Sequence, residues 1–273
     1  METQLANVPA HTVLLQHVQT SLAPLNELTR PGDLKPLIDG IAAIPEALQQ
    51  LDKKQLAAEH LFARGLQEEA VASSLAYIRE HAAVAEYIPN RGMLLQKTLE
   101  QVDPQLGLLM EFGVYKAVTI NQIARRFETH TVHGFDSFEG LPELWSGHDP
   151  KAVFDKGSFK LDTLPAVAKN VKLYKGWFTD TLPDFVHKET SPVAFLHIDS
   201  DLYSSAKTIF DHLGDRIVAD TIILFDEYFG YRKWQQGEHQ AFMEFLSAAH
   251  LDFIPLYYRE TQYAVRMTAK KKR

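Results

Sequence analysis

Cysteine is absent from the 273 residues. Its absence excludes disulfides and thiolate chemistry and fits a reducing compartment. Also missing is any apolar run near the roughly 18 residues that a membrane helix needs, so no membrane partner is expected. Met1-Glu-Thr-Gln-Leu5 has neither the basic nor the apolar segment of a signal peptide, and the expected location is cytoplasmic. There is no surplus of positive charge: the formal net charge is -7, which argues against nucleic acid as a partner. No G-x-G-x-x-G pattern occurs, which disfavours a pyrophosphate-bearing dinucleotide. No internal repeat or low-complexity tract is present. The 45% hydrophobic content suffices for one sizeable domain with an appendage, or for two small domains.

What is present is organised around Val193-Ala-Phe-Leu-His-Ile-Asp199-Ser-Asp201-Leu-Tyr203. Val193 to Ile198 is a short apolar run rich in β-formers, the pattern of a buried strand. Asp199 and Asp201 follow at alternate positions, so in extended chain they face one side. In open α/β sheets, ligands sit just past the carboxyl ends of strands. Thr221-Ile-Ile-Leu-Phe225 ends likewise, in Asp226-Glu227. If the two strands are neighbours, four carboxylates converge, and a cation, protons or a substrate hydroxyl must compensate them.

Residues 1–103 read as helices without strands. Leu14, Leu15, Val18, Leu22 and Leu25 recur at helical spacing, as do Ile38, Ile41, Ile44, Leu48 and Leu51, with Pro31-Gly32 between them. Helix formers fill much of Leu56 to Ile88, and Met93 to Val102 predicts another helix stopped by Asp103-Pro104. This region is expected to be a helical cap shaping the pocket or a surface for homo-oligomerisation.

Residues 104–273 alternate strand and helix, the signature of a parallel sheet with crossovers. The predicted strands are Leu108–Glu111, Val132–Phe135, Val171–Lys175, Val193–Ile198 and Thr221–Phe225. Helices are expected over Ala117–Phe127, Leu161–Asn170, Tyr203–Leu213 and Trp234–Ala249. Phe253–Tyr258 and Gln262–Met267 fit a final antiparallel hairpin across Arg259-Glu260-Thr261. The fold class is therefore α/β, a doubly wound, mostly parallel Rossmann-like sheet with a C-terminal antiparallel hairpin. Glu139 to Gly157 is long for a connection and carries two glycines and two prolines before its end; it reads as a flap over the site.

Glu111-Phe-Gly113 ends the first strand, where a glycine lets backbone approach a ligand. Asp136 follows the second strand, placed to accept hydrogen bonds from ribose hydroxyls; the alternative is an Asx turn. His197, inside the strand, reads as a satisfied core histidine. His239, after Glu238 at a helix start, is a candidate second base at the pocket rim, or a capping or surface residue. Tyr228, Phe229 and Tyr231 either wall an acceptor pocket or pack in the core; Trp234, Phe242 and Phe245 are core.

Glu111-Phe-Gly-Val-Tyr-Lys-Ala-Val-Thr-Ile-Asn121 resembles the first motif of class I S-adenosylmethionine-dependent methyltransferases. Gly134-Phe-Asp136-Ser-Phe-Glu-Gly-Leu-Pro142, Gly176-Trp-Phe-Thr-Asp-Thr-Leu-Pro183, Ile198-Asp199-Ser-Asp201-Leu-Tyr203 and Asp226-Glu227-Tyr228 follow in order. Together, over about residues 107–267, they resemble the macrocin O-methyltransferase family, which methylates sugar hydroxyls in natural-product pathways. The resemblance implies that Asp136, with Ser137 beside it, holds the cofactor ribose. It implies that Glu111 and Gly113 line the methionine end, and that Gly176 and Trp177 lie near the adenine. Asp199, Asp226 and Glu227 match a magnesium site, and Asp201 matches the general base. Two positions depart from the family: Ala117-Val118 stands where Gly-Gly is usual, and Asp226-Glu227 where Asp-Asp is usual.

The residue chemistry agrees with this assignment. A sugar hydroxyl is a poor nucleophile at neutral pH; a divalent cation lowers its pKa and a carboxylate can take its proton. All-oxygen ligands suit magnesium, manganese or calcium. The expected function is Mg-assisted O-methylation of a small hydroxylated acceptor. The rivals are a metal-dependent nucleotide-sugar glycosyltransferase, which has no need of Glu111-Phe-Gly113 with Asp136, and a non-catalytic ligand-binding protein of the same fold.

Overall fold

The structure, a computed structural model, describes Ile44 and residues 61–146 and 153–270. The helical patterns at Leu14–Leu25 and, apart from Ile44, Ile38–Leu51, the centre of the flap and residues 271–273 lie outside these. The chain divides into two compact units, Met1–Arg64 and Gly65–Arg273. Among the described residues no helix is long and apolar enough to cross a membrane.

The second unit begins with α1, helical over 65–81. A short strand β1 (Glu86–Tyr87) and helix α2 (Arg91–Glu100) follow. The region read as strandless thus contributes one strand, and α2 starts two residues earlier than expected. The cause is Asn90, whose side-chain oxygen caps the helix by accepting from the Met93 N–H at 3.0 Å. That early start makes Arg91 the first helical residue.

The sheet strands are β2 (Leu108–Phe112), β3 (Val132–Asp136), β6 (Val171–Lys175), β7 (Val193–Ile198), β8 (Ile217–Phe225), β9 (Leu251–Arg259) and β10 (Gln262–Ala269). β4 (Trp145–Ser146) and β5 (Val153–Phe154) form a separate antiparallel ribbon within the flap. The main sheet has the order β1-β9-β10-β8-β7-β2-β3-β6. β6, β3, β2, β7 and β8 are parallel, and β10 runs antiparallel to both β8 and β9. All five predicted parallel strands and the hairpin are present.

Both faces of the central strands β2 and β7 are covered, which is why they read as apolar runs, whereas the edge strand β6 alternates with exposed Lys172 and Lys175. Leu108, Met110 and Phe112 of β2 point into one core and Leu109 into the other, as alternation requires. Helix α3 (Val118–Arg126) packs on one face; α4 (Phe178–Lys188), α5 (Tyr203–Leu213) and α6 (Glu238–Ala248) pack on the other. The expected helix over Trp234–Ala249 is split at Gly237 into a 3₁₀ turn and α6. The helix expected over Leu161–Asn170 does not form. There the Asn121 side chain donates to Ala166 O at 3.0 Å and accepts from Ala168 N–H at 2.8 Å. Those bonds satisfy the backbone beside Pro165 in place of a helical ladder.

Sequential strands sit on opposite sides of β2: β3 on one, β7 on the other. This is the switch point of the sheet, and the crevice beyond its carboxyl ends is where a ligand is expected.

Candidate active site

A cleft of about 1670 Å³ opens at those carboxyl ends. It exceeds the roughly 300–1,000 Å³ of a single small-molecule pocket and so has room for two ligands side by side. Gly113, Asp136, Ser137 and Trp177 line one end; Arg91, Asp199, Asp201, Asp226, Glu227 and Gln262 line the other.

At the first end, Asp136 accepts from the Tyr115 N–H at 2.8 Å and from the Phe138 N–H at 2.6 Å. The bond to Phe138 is the Asx turn weighed above; each carboxylate oxygen keeps a second lone pair for a ligand hydroxyl. Ser137 is tied locally, donating to Gly140 O at 3.2 Å and accepting from Glu139 N–H at 3.1 Å. Gly113 has a φ of +91°, and a Cβ there would fall 1.7 Å from the Asp199 carbonyl oxygen. The glycine is demanded first by the neighbouring strand end, and it also lines the cleft. Gly176 does not line the cleft; Trp177, 36% exposed, does.

Glu111 corrects an expectation. It is 1% exposed and sits beneath the cleft rather than lining it. Its partner is His197 Nδ1 at 3.1 Å. Burial alone favours neutral forms of both groups. Against burial, the Asp226 and Glu111 carboxylates push His197 up to about 10, toward the imidazolium form. For Glu111, burial outweighs His197 and raises its carboxyl.

Ala117 has a φ of +59° and is fully buried. This is the left-handed region that glycine occupies without strain, where an alanine costs about 1–2 kcal/mol. The departure from Gly-Gly noted above is therefore a strained residue at the start of α3.

The flap covers the cleft, with Leu141 and Trp145 packed against Leu202 beside Asp201. Its Trp145 and Phe154 rings stack at 5.4 Å, Phe154 meets Phe159 at 4.9 Å, and Phe159 meets Tyr115 at 5.6 Å. All four rings line the cleft. Tyr228, Phe229 and Tyr231 do not; they are buried and pack in the core.

The acidic end is arranged differently from the expected trio of Asp199, Asp226 and Glu227. Asp226 is occupied: Arg91 Nη2 donates to both its oxygens at 2.9 Å, and Gln262 Nε2 donates to Oδ1 at 2.5 Å. His197 Nε2 lies 3.9 Å away. Burial opposes its charge, but His197 and Arg91 hold Asp226 down at about 2. Asp201 instead joins Asp199 and Glu227, their ligand oxygens all within 4.8 Å of one another. Asp201 is not in extended conformation; its φ is +62°, and that turn brings it beside its neighbours.

Asp199 and Glu227 are both pushed well up, by burial first and then by surrounding carboxylates. Asp201 is pushed up to about 7 by burial and by Asp226. Glu238, which the sequence did not single out, is fully buried against the same group. It accepts from Ser200 N–H at 3.5 Å and Glu227 N–H at 3.2 Å, and burial followed by Asp226 raises it. Its neighbour His239, the expected second base, does not line the cleft. The His239 ring lies among Tyr77, Tyr228 and Trp234, at 5.1, 5.1 and 4.8 Å, and burial lowers it to about 4. On a helix, successive residues point about 100° apart, so when Glu238 faces the acids His239 cannot.

The oxygens of Asp199, Asp201 and Glu227 are hard donors at metal-ligand spacing, raised by burial and by neighbouring carboxylates; the set fits a divalent cation. Arg91, Gln262 and Glu238 are the contributors that motif reading missed. Arg91 and Gln262 stand far from any motif, and only Glu238, beside a weighed histidine, left a trace.

Residues 110–228 match a family described as a methyltransferase domain. Among solved structures, a calicheamicin methyltransferase is 19% identical, covering 95% of this chain and 93% of its own, with a TM-score of 0.49. The O-methyltransferase NovP is 21% identical over 64% of this chain and 78% of its own, with a TM-score of 0.44. An O-methyltransferase from Bacillus cereus, in complex with SAH, is 15% identical over 76% and 91%, with a TM-score of 0.41. No curated protein matches the chain.

Proposed function

We propose that this chain, which carries a methyltransferase domain over residues 110–228, uses S-adenosylmethionine to methylate a hydroxyl of a small molecule, a sugar, with a divalent cation such as magnesium assisting. The observation that carries the proposal is one cleft joining Asp136 and Trp177 at one end to the Asp199, Asp201 and Glu227 oxygens at the other. S-adenosylmethionine would bring the methyl group on a sulfonium, and the cation would lower the pKa of the acceptor hydroxyl.

The chain's own residues do the rest. Asp136 takes the ribose hydroxyls with its outward lone pairs, and Trp177 offers a ring face to the adenine. The flap rings exclude water, so that a positive donor and a negative oxygen neutralise one another without competition from solvent. Asp199 and Glu227 would hold the cation. Asp201 receives the hydroxyl proton; a carboxylate has two oxygens, so contact with the cation through one leaves the other for the proton. Without the cation, burial and Asp226 raise Asp201 to about 7; the cation would keep it ionised and ready to accept the proton.

Calorimetric titration with S-adenosylmethionine tests the cofactor. Asp136→Ala should weaken binding by about 1–3 kcal/mol, the cost of unpaired buried polar groups. Unchanged affinity in that variant overturns the ribose assignment. Methyl transfer to glycosides in excess EDTA, with metal-free protein confirmed by elemental analysis, would remove the cation from the scheme.

A further inference from the structure

Asp199 belongs to two groups of potential ligands. One is completed by His197 and Asp226, the other by Asp201 and Glu227. A cation seated over Asp199 can lean either way. The protein itself occupies the first side: Arg91, at the start of α2, reaches from the cleft rim to Asp226 at 2.9 Å and to Asp199 Oδ2 at 3.4 Å. Its side chain is 56% exposed, while the Asp226 carboxylate it ends on is 5% exposed. A guanidinium stays charged at any pH the protein survives, so it vacates Asp226 only by moving. A divalent ion and a guanidinium repel strongly in so enclosed a place, most on Asp226, whose two oxygens Arg91 meets at 2.9 Å, and less on Asp199, where it meets one oxygen at 3.4 Å.

A second observation points to the other side. Ser200, between Asp199 and Asp201, lines the cleft, is 7% exposed, and its hydroxyl has no hydrogen-bond partner. A buried polar atom of this kind is normally satisfied, and an ion's water shell is one way to satisfy it.

We propose that Arg91 is a positioning residue that selects the cation's ligands: by holding Asp226 it directs the divalent ion to the Asp201–Glu227 side of Asp199. This rests on the cation-assisted reading above. It assigns Asp226 to the protein's own charge network, and it makes a residue outside the methyltransferase domain decide where the acceptor hydroxyl is activated.

The test is manganese binding to the full chain saturated with S-adenosylhomocysteine, followed by calorimetry and by electron paramagnetic resonance. Four proteins are compared: wild type, Asp226→Asn, Arg91→Gln and the double variant. Asp226→Asn alone should leave the manganese resonance, which reports the ion's ligands, as in the wild type, because Asp226 is not a ligand. Arg91→Gln should tighten binding by about tenfold or more as Asp226 joins the ion, and adding Asp226→Asn should abolish that gain. Arg91→Lys, which restores a cation, should return the wild-type pattern. A manganese resonance altered in Asp226→Asn with Arg91 intact, showing a changed ligand set, overturns the proposal. So does a gain in Arg91→Gln that survives loss of Asp226, since simple removal of repulsion would then account for it. Normal S-adenosylhomocysteine affinity reports a folded site in every variant. Absence of manganese binding in all four, with that affinity intact, overturns this proposal and the cation together while leaving methyl transfer standing. Absence of S-adenosylhomocysteine binding overturns the methyltransferase reading itself.

Discussion

Asp226 and Asp201 open into the same cleft, yet their charges are balanced by different means. Asp226 is matched by protein: Arg91 and Gln262 donate to it, and His197 and Arg91 hold it down at about 2 against burial. Asp201 shares its surroundings with Asp199, Glu227 and Glu238, all raised by burial first and then by the Asp226 carboxylate. The chain brings its positive charge closest to Asp226, while the acids around Asp201 stay raised by burial and by that same carboxylate. A carboxylate whose charge is settled is a structural element. One whose charge is unsettled can bind a cation or accept a proton, and chemistry is expected on that side.

The largest effect should come from Asp201→Asn. It keeps the size and removes the proton acceptor, and turnover should fall by about 10²- to 10⁴-fold. Asparagine suits the turn before α5, so melting temperature and cofactor affinity should hold. Near-normal turnover would refute the base and erase the functional difference between the two sides.

On the settled side the expected response is in stability. His197→Leu leaves Glu111 buried without its partner, and denaturant unfolding should show a loss of about 3–5 kcal/mol. Combining it with Glu111→Leu should recover most of that, since a well-packed apolar pair replaces a buried ion pair at little cost. If the double variant is as unstable as the single, the pair has a role beyond charge matching.

The unsettled side predicts a pH dependence. Asp201 rises in the folded state from 3.8 to about 7, so the folded protein holds a proton that the unfolded chain releases. That stabilisation is present in full below the ordinary value and is lost as pH rises through about 7. Without divalent cation, the melting temperature should therefore fall between about pH 5 and pH 8; millimolar manganese should flatten the fall by replacing the proton. A flat profile without metal would show that Asp201 is no harder to ionise than an exposed carboxylate.

The smallest effect serves as a control away from both groups. Ala117→Gly relieves the left-handed strain at the head of α3 but gives up a buried methyl and chain stiffness. A net gain of less than about 1 kcal/mol is expected, a rise of up to about 3 °C in melting temperature, with the pH profile unchanged. A fall would mean that the buried methyl outweighs the strain.

Much of the fold and part of the site can be read from the chain alone. Five runs ending in acids or glycines specify the parallel strands, and burial on both faces of the central ones imposes an apolar residue at nearly every position. Motif spacing places Asp136, Trp177, Asp199 and Asp201 at the cleft, since a strand's carboxyl end is where its chain leaves the sheet. The helix over Leu161–Asn170 misled because Ala166, Val167 and Ala168 favour a helix locally while Asn121, more than forty residues earlier, captures their backbone.

The sequence by itself determined which acids stand at the strand ends, because that follows from local pattern and topology. Only the tertiary structure decided how those acids divide. The division depends on Arg91 arriving from α2, on Gln262 arriving from β10, and on the left-handed turn that swings Asp201 toward Glu227. It also depends on which face of α6 meets the cleft, which turned Glu238 inward and His239 away. Differences of an ångström or two in how separate elements pack set these pairings, and through them each group's charge. No stretch of sequence short enough to form a motif contains that information.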